Sequence, residues 1–184
     1  MNLAKFMDIE VLRIGQRLVR DDRVTTHVAL VARAFGASKI YMNEVNPEIR
    51  YTLDKINETW GGEFVVEFIT NWKQVIKEKK AGDWKIIHLT MYGEGINDLV
   101  SSIKKEEKIL VVVGAEKVPR EIYDFADYNV AVGHQPHSEI SALGVLLDRI
   151  QNGNQFVTKF KNSTREIIPT KKGKNVIMHK TMDK

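Results

Sequence analysis

Four arginines, Arg13, Arg17, Arg20 and Arg23, recur within eleven residues ahead of a helical pattern opened by Thr25-Thr26-His27. Guanidinium groups gathered at a helix amino terminus make a phosphate site, because their forked donors and the helix dipole both attract an anion. Asp21 and Asp22 in the same run offer a plainer role, pairing with the arginines and capping that helix. Farther along, Gly114 and Gly133 each close a β-rich apolar run and lack the Cβ that holds a backbone away from a ligand. Together with Pro119, Pro136 and an apolar helix directly after Ser138, they describe two stiffened loops beside one sheet edge. A stiff apolar slot with backbone donors and acceptors suits an adenine ring, which needs shape and a few hydrogen bonds rather than charge.

Other chemistries fit poorly. There is no cysteine, which excludes a thiol nucleophile, a disulfide scaffold, a cysteine zinc site and an iron–sulfur cluster. Neither a G-x-x-x-x-G-K-[ST] loop nor a G-x-G-x-x-G turn is present, which disfavours phosphate-loop ATPases and ordinary dehydrogenases. His134 and His137 are separated by Pro136 and have no third ligand nearby, so loop hydrogen bonding suits them better and no metal is expected. His27 and His88 read as polar caps or satisfied interior residues. Ser138 and Ser141 show no nucleophile elbow or triad pattern.

The elements that must position these residues alternate. Ile9–Ile14, Lys39–Met42, Phe64–Phe68, Lys85–Leu89, Ile109–Val113 and Tyr128–Val132 read as strands. Thr26–Phe35, Pro47–Trp60, Trp72–Lys79, Ile96–Ser102, Arg120–Phe125 and Ile140–Ile150 read as helices. Continuous Val/Ile runs suit strands covered on both faces, so the expected fold is α/β with a mainly parallel sheet flanked by helices. Ligands of such sheets bind beyond the carboxyl ends of the strands. Here those ends carry the polar, Gly-containing loops 89–95, 114–119 and 132–139. After Ile150, Gln151-Asn152-Gly153-Asn154 breaks the pattern and β-leaning runs Phe156–Phe160, Arg165–Ile168 and Val176–His179 follow. Lys172-Gly173-Lys174-Asn175 supplies a turn between the last two, predicting a carboxyl-terminal β-hairpin. The expected division is thus an α/β domain over 1–150 and a basic extension over 151–184.

At 184 residues, 43% hydrophobic and 28% charged, the chain has the make-up of one compact domain with a small appendage. No apolar run, Ile109–Val113 included, approaches the roughly 18 residues of a membrane span, and Met1–Met7 lacks the apolar core of a signal peptide. A soluble, cytoplasmic protein without membrane partners is expected. Abundant Lys, Glu and Ile without Cys also fits a thermophile. The net charge of +4 is uneven: residues 151–184 hold eight Lys/Arg against two Asp/Glu, a local +6, which leaves −2 for residues 1–150. Lys171, Lys172 and Lys174 crowd the proposed turn. Such a segment either binds a polyanion by releasing counterions or is a solvated tail.

Ile109-Leu110-Val111-Val112-Val113-Gly114-Ala115-Glu116-Lys117-Val118-Pro119 resembles the second motif of the SPOUT superfamily of knotted RNA methyltransferases. Asn129–Leu143, containing Val132-Gly133-His134-Gln135-Pro136-His137-Ser138-Glu139, resembles the third. Arg20-Asp21-Asp22-Arg23-Val24-Thr25-Thr26-His27-Val28, running into Ala32-Arg33-Ala34-Phe35-Gly36-Ala37, is similar to the signature of the archaeal tRNA cytidine-56 2′-O-methyltransferases. This resemblance implies S-adenosylmethionine bound at a carboxyl-terminal deep trefoil knot, a homodimer, and methylation of the ribose of a T-loop cytidine in tRNA. It assigns Leu89, Gly114, Ala115, Glu116, Lys117, Val118 and Val132 to Glu139 to the cofactor pocket. It makes Arg20 the group that acts on the 2′-hydroxyl, with Arg23 and Arg33 as alternatives. Arg13, Arg17, Arg23 and the three lysines are expected to hold RNA. Where many ribose-methylating relatives have Asn in the third motif, this chain has Glu139. A non-catalytic RNA-binding module, or a methyltransferase acting at another RNA site, uses the same residues.

Overall fold

The computed structural model describes residues 7–15, 22–43, 46–115 and 117–179. Six strands form one parallel sheet: β1 (Asp8–Ile14), β2 (Lys39–Asn43), β3 (Val65–Ile69), β4 (Lys85–Gly95), β5 (Lys108–Gly114) and β6 (Tyr128–Ala131), in the order β3-β2-β1-β5-β4-β6. The connecting helices are α1 (Asp22–Ala34), α2 (Glu48–Trp60), α3 (Trp72–Ala81), α4 (Ile96–Ile103) and α5 (Glu121–Phe125), and α6 (Glu139–Gln151) follows β6.

Both sheet faces are covered, as the unbroken apolar strands require. In β5, Ile109, Val111 and Val113 enter a core shared with Val28 and Ala32 of α1 and with Leu143, Leu146 and Leu147 of α6. Leu110 and Val112 enter the opposite core, with Val75 and Ile76 of α3 and Ile122 of α5. The period-2 alternation of a strand thus serves two apolar layers. Helix starts use local chemistry where it is available. Asn71 Oδ1 accepts from the Lys73 and Gln74 amides at 3.0 and 3.4 Å ahead of α3, and Ser138 Oγ accepts from Ile140 N at 3.2 Å ahead of α6.

Two elements differ from expectation. The stretch 90–95, expected as a loop, continues β4 to Gly95: Leu89 and Glu94 both register with Val130 of β6, with a register shift between them. Gly93 permits this, because a Cβ there would sit 2.3 Å from the Asn129 carbonyl oxygen. Phe156–Phe160, expected as β-leaning, instead holds a 3₁₀ turn over Asn154–Val157. Tertiary contact decides its conformation, with Phe156 edge-on to Phe35 at 5.5 Å and Phe160 stacked on Arg33 at 4.6 Å. Beyond it, β7 (Arg165–Ile167) and β8 (Val176–Met178) pair antiparallel. Among the described residues, no helix is long and apolar enough to cross a membrane.

Candidate active site

Residues 88–92 of β4 and the segments leaving β5 and β6 border a cavity of about 650 Å³ at the carboxyl edge of the sheet, where open α/β sheets place ligands. Leu89, Val113, Val118, Val130, Val132 and Ala142 give it apolar walls. Of the residues expected at a cofactor pocket, Leu89, Gly114, Ala115, Lys117, Val118, Val132, Gln135, Pro136, His137 and Glu139 line it together. Gly133, His134 and Ser138 belong to the same bordering segment without lining the cavity. Gly133 has φ +94° and open space where a Cβ would stand, His134 Nε2 donates to the Gly93 carbonyl at 3.2 Å, and Ser138 caps α6. The bonds of His134, and of His137 Nδ1 to the Ser138 carbonyl at 3.1 Å, are loop hydrogen bonds. Glu116 lies outside the described residues.

Residues that the sequence did not assign to the cofactor pocket by name complete the cavity: His88, Thr90, Met91, Tyr92, Arg120 and Tyr123. His88 is buried, with Nδ1 2.9 Å from Asn129 Oδ1, while Asn129 Nδ2 donates to the Tyr123 carbonyl at 3.1 Å. The second bond orients the amide, so Oδ1 is the acceptor and His88 Nδ1 carries the proton. Burial holds this imidazole below its ordinary pKa, against the opposing pull of the Asn129 bond, and leaves a neutral ring with Nε2 as an acceptor. The Tyr123 ring meets His88 edge-on at 4.7 Å, and its hydroxyl lies 3.0 Å from Thr90 Oγ1. Helix α5 is thereby fastened to the end of β4. The only sequence signal for Thr90, Met91 and Tyr92 was their place in a loop at a strand's carboxyl end; nothing local marked Tyr123.

The arginines separate. Arg17 and Arg20 lie outside the described residues. Arg13, at the carboxyl end of β1, is 2% exposed and its Nη1 lies 3.5 Å from Glu139 Oε1, so it is enclosed rather than open to RNA phosphate. This pairing also gives Glu139 a partner in this chain. Arg23, in the first turn of α1, is exposed and lines a smaller cavity of about 330 Å³ with Thr26, His27 and Glu48. Arg33 is in the last turn of α1, and in a parallel strand-helix-strand unit that turn lies at the amino-terminal edge of the sheet, away from the large cavity. There its Nε donates to Asn57 Oδ1 at 2.9 Å, its Nη2 donates to the Gly61 carbonyl, and its plane covers Phe160. Lys171, Lys172 and Lys174 are exposed on the segment joining β7 to β8.

Residues 60–177 match the family described as tRNA ribose 2′-O-methyltransferase, aTrm56. The tRNA (cytidine(56)-2′-O)-methyltransferase of Nitrosopumilus maritimus is 67% identical over 177 residues, covering 96% of this chain and all of that protein. The enzyme of the same name from Thermococcus kodakarensis is 49% identical over 178 residues, covering 92% of this chain and 96% of its own length. Among solved structures, the A. aeolicus TrmH/SpoU tRNA modifying enzyme superposes with a TM-score of 0.58 at 18% identity, over 83% of this chain and 77% of that one. The SpoU methyltransferase AviRb from Streptomyces viridochromogenes, solved in complex with AdoMet, gives 0.58 at 11% identity, over 79% and 57%. Those two share the fold. With a family match across most of the sequence and relatives this similar along nearly its full length, the chain belongs to the tRNA ribose 2′-O-methyltransferase family aTrm56.

Proposed function

We propose that this protein uses S-adenosylmethionine to methylate the ribose 2′-hydroxyl of the T-loop cytidine at position 56 of tRNA, the reaction named for its relatives. The observation that carries this reading is the cavity at the carboxyl edge of β4, β5 and β6, lined by residues of both motifs, with Gly133 in the loop that borders it. Its size and apolar walls suit a nucleoside, and the open space at Gly133 admits close backbone approach. Leu89, Val118, Val130 and Val132 would hold an adenine ring, with backbone groups of residues 114–118 and 132–139 supplying its hydrogen bonds. When bound, S-adenosylmethionine would supply an electrophilic methyl group on a sulfonium, whose transfer to the ribose oxygen would break the sulfur–methyl bond, leave the neutral thioether S-adenosylhomocysteine and release the hydroxyl proton to solvent. The chain's task is mainly alignment, holding the reacting atoms about 3–3.5 Å apart. Arg20 is assigned to orient the hydroxyl and the neighbouring phosphate, with Arg23 as the alternative. Guanidinium is too basic to accept the proton readily. Neutral His88 adds no cation beside a cationic cofactor.

Further parts of this reading have separate support. A deep trefoil knot is part of this reading, implied by the resemblance of residues 109–119 and 129–143 to the second and third motifs of the SPOUT superfamily. Residues 151–184 act as a basic extension for tRNA binding or dimer contact, consistent with the exposed lysines and with exposed Phe156, Val157, Ile167 and Met178. A cytoplasmic setting fits the family's tRNA substrate, and the homodimer is what the resemblance to the SPOUT superfamily implies. Incubating the protein with tRNA transcript and methyl-labelled S-adenosylmethionine, then digesting to nucleosides, tests the reaction. The expected product is 2′-O-methylcytidine; a base-methylated nucleoside, or RNA binding without transfer, would reject it.

A further inference from the structure

Tyr92 is 79% exposed although it borders the large cavity. A single exposed aromatic is unremarkable on a free surface, but this one is carried by an unusually fixed piece of backbone. The Tyr92 amide donates to Thr90 Oγ1 at 3.4 Å, and that hydroxyl is held by Tyr123. The next residue, Gly93, is pressed against the Asn129 carbonyl and accepts a hydrogen bond from His134. The sequence therefore anchors residues 90–93 on both sides and leaves the phenol ring uncovered beside the cavity. Lys117 and Arg120 border the same cavity and supply positive charge for a phosphate.

We infer that Tyr92 is the platform on which the base of the target nucleotide stacks while its ribose enters the cavity. This deepens the proposed function and rests on it. Proteins that read RNA loops splay the bases out and stack them on aromatic side chains, so a loop nucleotide whose ribose is drawn into the cavity brings its base to the rim, where the Tyr92 face restores lost stacking. An anchored backbone presents that face with little entropy left to lose. Tyr92 is a positioning residue here, since it touches the base and not the reacting atoms.

The test uses the full-length protein and a tRNA transcript carrying the fluorescent cytidine analogue pyrrolocytidine at position 56. Wild type should quench the analogue, Tyr92→Phe and Tyr92→Trp should keep the quench, and Tyr92→Ala and Tyr92→Leu should lose it. Loss of one base–aromatic stack should weaken tRNA binding by roughly tenfold to a hundredfold, a loss larger than any change in calorimetric affinity for S-adenosylmethionine in the same proteins; a loss of cofactor affinity as large as the loss of tRNA binding would make Tyr92 a cofactor wall and overturn the inference. If Tyr92→Leu quenches and binds like wild type, the contact is not stacking and the inference is wrong. A change in molecular mass of Tyr92→Ala by light scattering would reassign the ring to a subunit contact and overturn it. If wild type itself neither quenches the analogue nor methylates unmodified transcript, the functional reading fails. Normal wild-type transfer with an unaffected Tyr92→Ala refutes this inference alone.

Discussion

Replacing Arg33 by Met should destabilise the fold rather than disable the chemistry. The substitution keeps most of the side-chain stem but removes the donors to Asn57 Oδ1 and the Gly61 carbonyl and the cation over Phe160. Each acceptor left without a donor costs about 1–3 kcal/mol, and the lost stacking costs about 0.5–2 kcal/mol. Removing a buried guanidinium recovers part of its desolvation, so a net loss of about 2–4 kcal/mol is expected. For a chain of this length, each kcal/mol lowers Tm by about 2–4 °C, which gives a fall of roughly 5–15 °C by calorimetry. Limited trypsin digestion should also cut faster at Lys159 and Lys161, because Phe160 loses its anchor. At temperatures where the variant stays folded, methyl transfer should remain close to wild type. A variant with unchanged Tm and abolished transfer would refute this reasoning and return Arg33 to the active site.

Three other perturbations follow from the same geometry. Burial lowers the pKa of His88, so below the ordinary histidine value the unfolded chain takes up a proton that the folded chain refuses. Stability from this group is full above about pH 6.5 and declines as pH falls toward the depressed folded value. His88→Gln should therefore lose less denaturation free energy than wild type between pH 7 and 5, and parallel pH curves would contradict a buried neutral His88. Gly133→Val, which forces a β-branched residue to φ +94° in the loop that borders the cavity, should reduce calorimetric affinity for S-adenosylmethionine at least about tenfold. Unchanged affinity in a folded variant removes Gly133 from the site. Changing Lys171, Lys172 and Lys174 to Gln should weaken tRNA binding and reduce the slope of log affinity against log salt by up to about 2–3. An unchanged slope would make the basic extension a solvated tail.

The sheet strands were readable from sequence because each holds a short apolar run, continuous where both faces are covered, as in β5. Thr90–Gly95 was not, since two glycines in a polar run look like a loop until Val130 and Asn129 are seen beside them. The Phe156–Phe160 segment failed for a similar reason, its conformation being set by Phe35 and Arg33, more than a hundred residues away in the chain. At the site, the loops were recognisable from Gly114, Gly133 and their prolines, whereas Tyr123 enters through a five-residue helix with no local mark. The arginines show the limit most clearly. Arg13, Arg23 and Arg33 are alike in a sequence, yet one is enclosed beside Glu139, one is exposed and one stacks on Phe160. Their roles are set by neighbours that the fold supplies.

The most direct measurement of the proposed reaction compares labelled methyl transfer from S-adenosylmethionine to two tRNAs that differ by one atom, one with cytidine and the other with 2′-deoxycytidine at position 56. Transfer of about one methyl group per tRNA to the first and none to the second is the expected result. Equal labelling of both tRNAs, or of neither, would contradict ribose 2′-O-methylation at that nucleotide.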